Sequence, residues 1–321
     1  MKRALLIINP ISGTRDKQHL AAQTRIALRP AGYTLDWAET TCAGHAYAMA
    51  RSATAEGFDL VIAAGGDGTV NEVAQALCDT PTVLGIVPCG SGNGLARTLN
   101  IPQDFRRALE IIARGHVITA DHGQANKLPF FCTFGVGFDA VVSERFANEK
   151  RRGRLSYIRS AFAEYINYAP KPYAIAVNGT VLTEEAFLIA VCNTSQYGNN
   201  AYIAPRASVS DGLLDVTVVH TGNPFTQALA GVSLLTGHID RNTLIDTFRI
   251  SAATITRLEP GPAQLDGEPL HLGRSINVEC CPASLHIAVP QGDLRFRPIV
   301  SPLRSLINDI RYDLLHLITG Q

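Results

Sequence analysis

Residues 63–73 read Ala-Ala-Gly-Gly-Asp-Gly-Thr-Val-Asn-Glu-Val, with glycines at 65, 66 and 68. Closely spaced glycines let a backbone approach a phosphate and leave its N–H groups free to cradle it. A helix beginning near Thr69 adds a partial positive charge suited to an anion. Asp67 is out of place beside a phosphate unless a divalent cation lies between them or it accepts a proton from a reacting hydroxyl. The competing reading is a plain strand-to-helix turn, with Asp67 or Thr69 capping the helix. Two more loops carry the same chemistry: Asn9-Pro10-Ile11-Ser12-Gly13, and Pro88-Cys89-Gly90-Ser91-Gly92-Asn93-Gly94. Three such loops are hard to explain as turn chemistry alone.

The elements that must hold these loops follow from hydrophobic patterning. Ala4–Ile8, Tyr33–Ala38, Asp59–Ala64 and Val83–Val87 are short apolar runs that predict strands. Arg15–Leu28, Ala43–Glu56, Thr69–Cys78, Leu95–Asn100 and Asp104–Arg114 carry helical patterns. Strand and helix in alternation predict a parallel sheet covered by helices. Ligands bind beyond the carboxyl ends of such strands, where all three loops fall.

After about residue 120 the pattern changes. Phe130–Phe134, Tyr173–Val177, Ala186–Cys192, Leu214–His220, Thr247–Leu258, Ser275–Cys280 and Leu285–Val289 are β-branched or aromatic runs, with turn pairs Asn178-Gly179, Asp211-Gly212 and Asp266-Gly267 between some of them. They predict a mostly antiparallel β-sandwich interrupted by helical stretches near Asp139–Ala169 and Pro224–Thr236. Leu303–Ile318 reads as an amphipathic helix whose stripe packs on the first domain. The predicted organisation is therefore an α/β nucleotide-binding domain over 1–122, completed by 291–321, and a β-rich lipid-substrate domain over 123–290.

Composition narrows the function classes. The 321 residues include 28 Lys plus Arg and 28 Asp plus Glu, a formal charge of zero that argues against broad nucleic-acid binding. A hydrophobic share of 46% argues against disorder. The seven cysteines contain no C-x-x-C pair and read as reduced, mostly buried thiols of a cytosolic protein. The apolar start, Ala4–Ile8, is too short for a secretory segment, and no run approaches the ~20 residues of a membrane span. Contact with membrane would come from the surface. Residues 144–159 hold six basic side chains against two acidic ones, beside Leu155, Tyr157, Ile158 and Phe162. That mixture suits an anionic bilayer, and equally a solvated helix face. No Walker-type phosphate loop, Gly-x-Ser-x-Gly elbow or metal-spaced histidine set occurs in the chain.

GGDGTVNEVA, then PCGSGNGLARTLNIP, with NPISG before them and YGNN…APRASVSDGLLDV and LDGEP after them, resemble the diacylglycerol kinase catalytic family, which includes bacterial soluble lipid kinases, sphingosine kinases and ceramide kinases. The resemblance spans essentially the whole chain. GGDGT alone is shared with NAD kinases and is reminiscent of phosphofructokinases, so a first domain of that type is implied. The implied reaction is ATP- and Mg²⁺-dependent transfer of a phosphoryl group to a lipid hydroxyl. Diacylglycerol is the default acceptor; a sphingoid base, ceramide or phosphatidylglycerol are its rivals. NAD kinase, and a catalytically idle lipid- or nucleotide-binding protein, are the alternatives.

By the same resemblance Asn9, Pro10, Ser12 and Gly13 line the nucleotide phosphates, with Thr40 or Thr41 near the nucleoside. Gly65, Gly66, Gly68, Thr69, Asn71 and Glu72 hold the triphosphate, assisted by Gly90, Ser91 and Asn93. The proton acceptor is Glu268 or Asp67. Ser208, Asp211 and Leu213, with Asp215 nearby, match a structural Mg²⁺ site, the first and third through backbone carbonyls; the alternative for Asp211-Gly212 is an ordinary hairpin turn. Where many family members carry Asp after the Asn of the third loop, this chain has Gly94. A cytoplasmic enzyme that docks reversibly on membrane is implied, with a homodimer an allowed assembly.

Overall fold

The computed structural model describes residues 2–13, 19–147, 168–198, 201–223, 226, 230, 233, 236–239, 242–292 and 294. The Leu303–Ile318 helix, most of the 291–321 segment, most of the Pro224–Thr236 helix and the basic stretch beyond Arg145 lie outside them.

The first half runs β1 (Lys2–Ile8), α1 (Leu20–Leu28), β2 (Tyr33–Glu39), α2 (His45–Ala55), β3 (Leu60–Gly65), α3 (Asp67–Leu77), β4 (Val83–Pro88), α4 (Gly94–Thr98) and α5 (Phe105–Arg114). Strands β2, β1, β3 and β4 lie side by side in that order, all parallel. Every residue of β3 is buried, as expected for a parallel strand covered on both faces. Helix α5 shows how local chemistry sets an element's limits. Asp104 accepts the Arg107 N–H at 3.1 Å to start it, and Gly115, at φ 68°, stops it in the left-handed region.

The chain continues through β5 (Val117–Ala125), β6 (Leu128–Phe130), β7 (Thr133–Gly137), α6 (Phe138–Ala147), β8 (Lys171–Val177), β9 (Thr180–Cys192), β10 (Gln196–Gly198), β11 (Ala201–Tyr202), β12 (Leu214–His220), β13 (Ile245–Ile250), β14 (Ala252–Arg257), β15 (Gly261–Leu265), β16 (Glu268–Leu272) and β17 (Ser275–Ala288). Their pairings are antiparallel, except that β17 meets β4 in parallel at Ile287 and Leu84. The fold class is thus the expected one, a parallel α/β half joined to an antiparallel sandwich-like half. β17 is the joint, since it pairs with β4, β5 and β14. Phe130, Phe134, Ile175, Ile189 and Ile255 centre the second core, while Leu6, Ile62, Ile86 and Leu109 centre the first.

Three strand expectations need correction, the first being Phe130–Phe134, which is not one strand because β6 ends at Phe130 and β7 begins at Thr133. Thr247–Leu258 is two strands broken at Ser251, because β13 pairs with β12 while β14 pairs with β8 and β17. Ser275–Cys280 and Leu285–Val289 are parts of one strand, interrupted by an irregularity between Cys281 and Leu285 that alternation alone reads as a gap. Strand β5, with buried Asp121 and His122 in its interior, lacks the apolar run by which a strand is recognised. The Asn178-Gly179 and Asp266-Gly267 pairs do make hairpin turns, with φ of 49° and 81° in the first and 50° and 87° in the second.

Candidate active site

In the order β2-β1-β3-β4, successive connections leave β1 in opposite directions, and the crevice between β1 and β3 is the switch point at which open α/β sheets bind ligands. The three glycine-bearing loops meet there. The Asn9 N–H continues the β1–β3 pairing by donating to the Ala64 carbonyl at 2.9 Å, and the Cys89 N–H does the same to Gly65 at 2.8 Å. Across the crevice the Asn9 amide donates to Thr69 Oγ1 at 3.0 Å. Gly13 sits at φ 66°, and a Cβ there would lie 2.0 Å from the Cys89 carbonyl oxygen, so the first loop closes on the third only because this residue is glycine. Ser12 turns its hydroxyl back to the Asn9 carbonyl at 3.1 Å, shaping the Asn9-Pro10 corner. Gly66 and Gly90 are also in close approach.

Asp67 begins α3, two residues earlier than the expected start at Thr69. Its carboxylate accepts the Asn93 N–H at 2.8 Å and the Gly94 N–H at 2.7 Å, one on each oxygen. It therefore clasps the third loop onto the second. Asn93, left-handed at φ 49°, accepts from the Gly90 N–H at 3.0 Å and donates to the Gly90 carbonyl at 2.7 Å, closing that loop on itself. Gly68 and Ser91 remain exposed on the same rim, where the first N–H groups of α3 have no intrahelical acceptor.

The neighbours Asn71 and Glu72 face different duties. Glu72 accepts from the N–H groups of Gly44 at 2.8 Å, Ala46 at 3.0 Å and Tyr47 at 3.4 Å, capping α2. The Asn71 amide crosses to the second half of the chain and donates to Asp266 at 2.5 Å. Thr40 extends β2, its N–H donating to the Ile8 carbonyl at 2.8 Å, while Thr41 bonds His45.

Asp266 is the residue that sequence reasoning missed. In the sequence it stands in the Asp266-Gly267 turn pair and in the LDGEP motif, where Glu268 is the carboxylate singled out. Its carboxylate accepts four donors: Phe131 N–H at 2.8 Å, Cys132 N–H at 2.7 Å, Thr133 N–H at 2.9 Å and the Asn71 amide. Burial pushes its pKa up to about 6, the backbone donors oppose this, and the charge of Asp67 adds to it. The site thus joins loops of the first half to the β15–β16 turn of the second. Glu268 stands exposed at the start of β16, two residues beyond Asp266.

Behind the turn, Asp139 at the start of α6 is buried and accepts from Tyr197 Oη at 3.0 Å and Gln264 Nε2 at 3.3 Å. Burial raises its pKa from 3.8 to about 7, against the pull of those donors. The folded protein then binds a proton that the unfolded chain releases above about pH 4. The resulting contribution to stability is greatest in acid and falls as pH rises toward 7, with a limiting slope of about 1.4 kcal/mol per pH unit. Relative to the parent, Asp139→Asn should gain stability from pH 4 to 7 and level off above. Urea unfolding at a series of pH values checks this, and a pH-independent difference would refute it.

At the expected metal ligands Ser208, Asp211 and Leu213, the Asp211 carboxylate already has protein partners. Asp211 Oδ1 accepts the Leu213 N–H at 3.3 Å and its Oδ2 lies 3.3 Å from Arg249 Nη1. Gly212 donates to Asp121, whose other oxygen takes the Ala283 N–H, each at 2.7 Å. Among the described residues, no group of three or more His, Cys, Asp or Glu is placed to hold a metal ion.

With this geometry in view, the relatives give the site its class. The model of the diacylglycerol kinase catalytic domain matches residues 3–125, and that of the YegS C-terminal NAD kinase beta sandwich-like domain matches 132–289. The chain belongs to the diacylglycerol kinase catalytic family. It is a lipid kinase, a phosphotransferase acting on an alcohol. A diacylglycerol kinase of Bacillus subtilis is 33% identical over 275 residues, 84% of this chain and 90% of that one. One from Staphylococcus aureus is 31% identical over 226 residues, 69% of this chain and 72% of its own. A Bacillus anthracis structure provisionally described as a diacylglycerol kinase superposes with a TM-score of 0.78 at 25% identity, covering 90% of this chain and 96% of that one.

The departure at Gly94 has a structural counterpart. A Cβ there would stand 3.1 Å from the Tyr197 carbonyl oxygen and 3.5 Å from Cys132 Sγ. An aspartate would be pressed against a carbonyl, so the main-chain position of Tyr197 and the glycine belong together.

Proposed function

We propose that the chain transfers the γ-phosphoryl group of ATP to a hydroxyl of a lipid, diacylglycerol first among them, while docked reversibly on a membrane surface. The convergence of three loops at the β1/β3 switch point, tied through Asn71 and Asp266 to the turn that carries Glu268, is the observation that supports this reading. Backbone N–H groups of the Asn9–Gly13, Gly65–Thr69 and Gly90–Asn93 loops hold the phosphates. Mg²⁺, carried on those phosphates, offsets their charge. Glu268 takes the proton of the lipid hydroxyl as its oxygen attacks the γ-phosphorus and the bond to ADP breaks. Asp67 is assigned to holding the phosphate loops in register, because both its oxygens already accept backbone N–H groups. Residues 1–122, completed by 291–321, are assigned to the nucleotide and 123–290 to the lipid. No helix among the described residues is long and apolar enough to cross a membrane.

Labelled ATP offered with micelles of diacylglycerol, sphingoid base, ceramide and phosphatidylglycerol, and separately with NAD⁺, tests the reading. Label is expected in phosphorylated diacylglycerol. Label in NAD⁺ alone, or in no acceptor, would overturn it.

A further inference from the structure

The Asp211 turn should, by family resemblance, hold a divalent cation, and the structure puts a protein cation there instead. Arg249 lies on β13 directly across from Asp215 on β12. Its Nη1 is 3.3 Å from Asp211 Oδ2, its Nε donates to Asp215 Oδ1 at 3.4 Å, and its Nη2 donates to the Arg206 carbonyl at 3.0 Å. One planar fork thus serves two carboxylates and a carbonyl, oxygen ligands of the kind a hard divalent cation collects. The remaining Asp211 oxygen is taken by the Leu213 N–H. A magnesium ion needs oxygens at about 2.1 Å in near-octahedral order. Bound to Asp211 Oδ2, it would stand against the guanidinium that already faces that oxygen, two positive charges competing for one acceptor.

The surroundings need a positive charge. Asp215 is buried, its Oδ1 facing Arg249 Nε at 3.4 Å and its Oδ2 buried with no hydrogen-bond partner among the described residues. Asp121, on the neighbouring β5, is spent on the Gly212 and Ala283 N–H groups and adds no ligand. We infer that the Arg249 guanidinium replaces the divalent cation at the Asp211 turn, so that this part of the second half of the chain folds without metal. The arginine reaches the turn from a strand that follows it by more than thirty residues, and therefore pins the β12–β13 pair to the turn as a metal would pin the turn to itself.

The test uses thermal unfolding of the full chain without nucleotide or lipid, in EDTA and in millimolar MgCl₂, so failure of the kinase reading would leave it intact. Parent and Asp211→Asn are expected to show the same Mg²⁺-dependent shift in Tm. Arg249→Met keeps the apolar stem and removes the charge. It should melt about 3 °C or more below the parent in EDTA, and MgCl₂ should recover part of the loss. A Mg²⁺ shift larger in the parent than in Asp211→Asn would overturn the inference. So would an Arg249→Met protein that melts with the parent in both buffers. The parent against Asp211→Asn comparison decides even if Arg249→Met fails to fold.

Discussion

Glu268→Ala is expected to lower phosphoryl-transfer turnover by at least about 10²-fold, the lower range for a positioned acid or base, and Asp67→Ala by a similar factor through displacement of the third loop. The two losses should differ in kind. Asp67 accepts from Asn93 and Gly94, so its removal frees the third loop and should raise the KM for ATP as well as lower kcat. Glu268 stands exposed on the β15–β16 hairpin, away from the hydrogen bonds that build the glycine loops. Glu268→Gln should therefore lower kcat while leaving the KM for ATP within about twofold. Steady-state kinetics with ATP varied at saturating lipid separates them. Near-parental turnover in a well-folded Asp67→Ala protein would remove Asp67 from the site, and an equal rise in KM in both variants would undo the division of roles.

Loss of the Asp266 carboxylate should cost more in stability than any other single change at the site. Asp266→Ala leaves three backbone N–H groups and the Asn71 amide without their acceptor. Stranding buried donors costs roughly 1–3 kcal/mol per group, tempered by relaxation, so a net loss of about 3 kcal/mol or more is expected. Asp266→Asn is nearly the same size, yet its amide nitrogen must face an N–H donor whichever way it turns, so it too should destabilise. In Asp266→Ala α3 loses its tie to the β15–β16 turn, in Asp266→Asn either that tie or the bonds from Cys132 and Thr133 are lost, and turnover should fall with stability. Urea unfolding and labelled-ATP transfer on the same preparations check the pair of effects. An Asp266→Asn protein matching the parent in both would show that the four-donor arrangement is not what aligns the two halves.

The glycine loops were legible in the sequence because each lies within a few residues of a strand end, and a strand end can be read from a local apolar run. Asn9, Gly65–Thr69 and Gly90–Asn93 all fell where the alternation of strand and helix put them. The uses to which their neighbours are put were not legible. Glu72 and Asn71 are adjacent, yet one caps α2 and the other reaches Asp266, a partner 195 residues away. Strand β5 escaped notice because its interior carries Asp121 and His122, polar groups buried with bonds supplied by Gly212, Ala283 and Ser284.

What the sequence by itself determined is whatever depends on backbone conformation and near neighbours: the parallel half, its three glycine loops, the hairpin turns at Asn178-Gly179 and Asp266-Gly267, and the family these spell out together. What only the tertiary structure decided is which charges meet. Asp67 takes the N-terminus of α4, Asp266 gathers four donors, and Arg249 joins Asp211 to Asp215. Hydrogen bonds and ion pairs act over a few ångströms in space, without regard to separation along the chain, and so their partners are set when the strands have found their order.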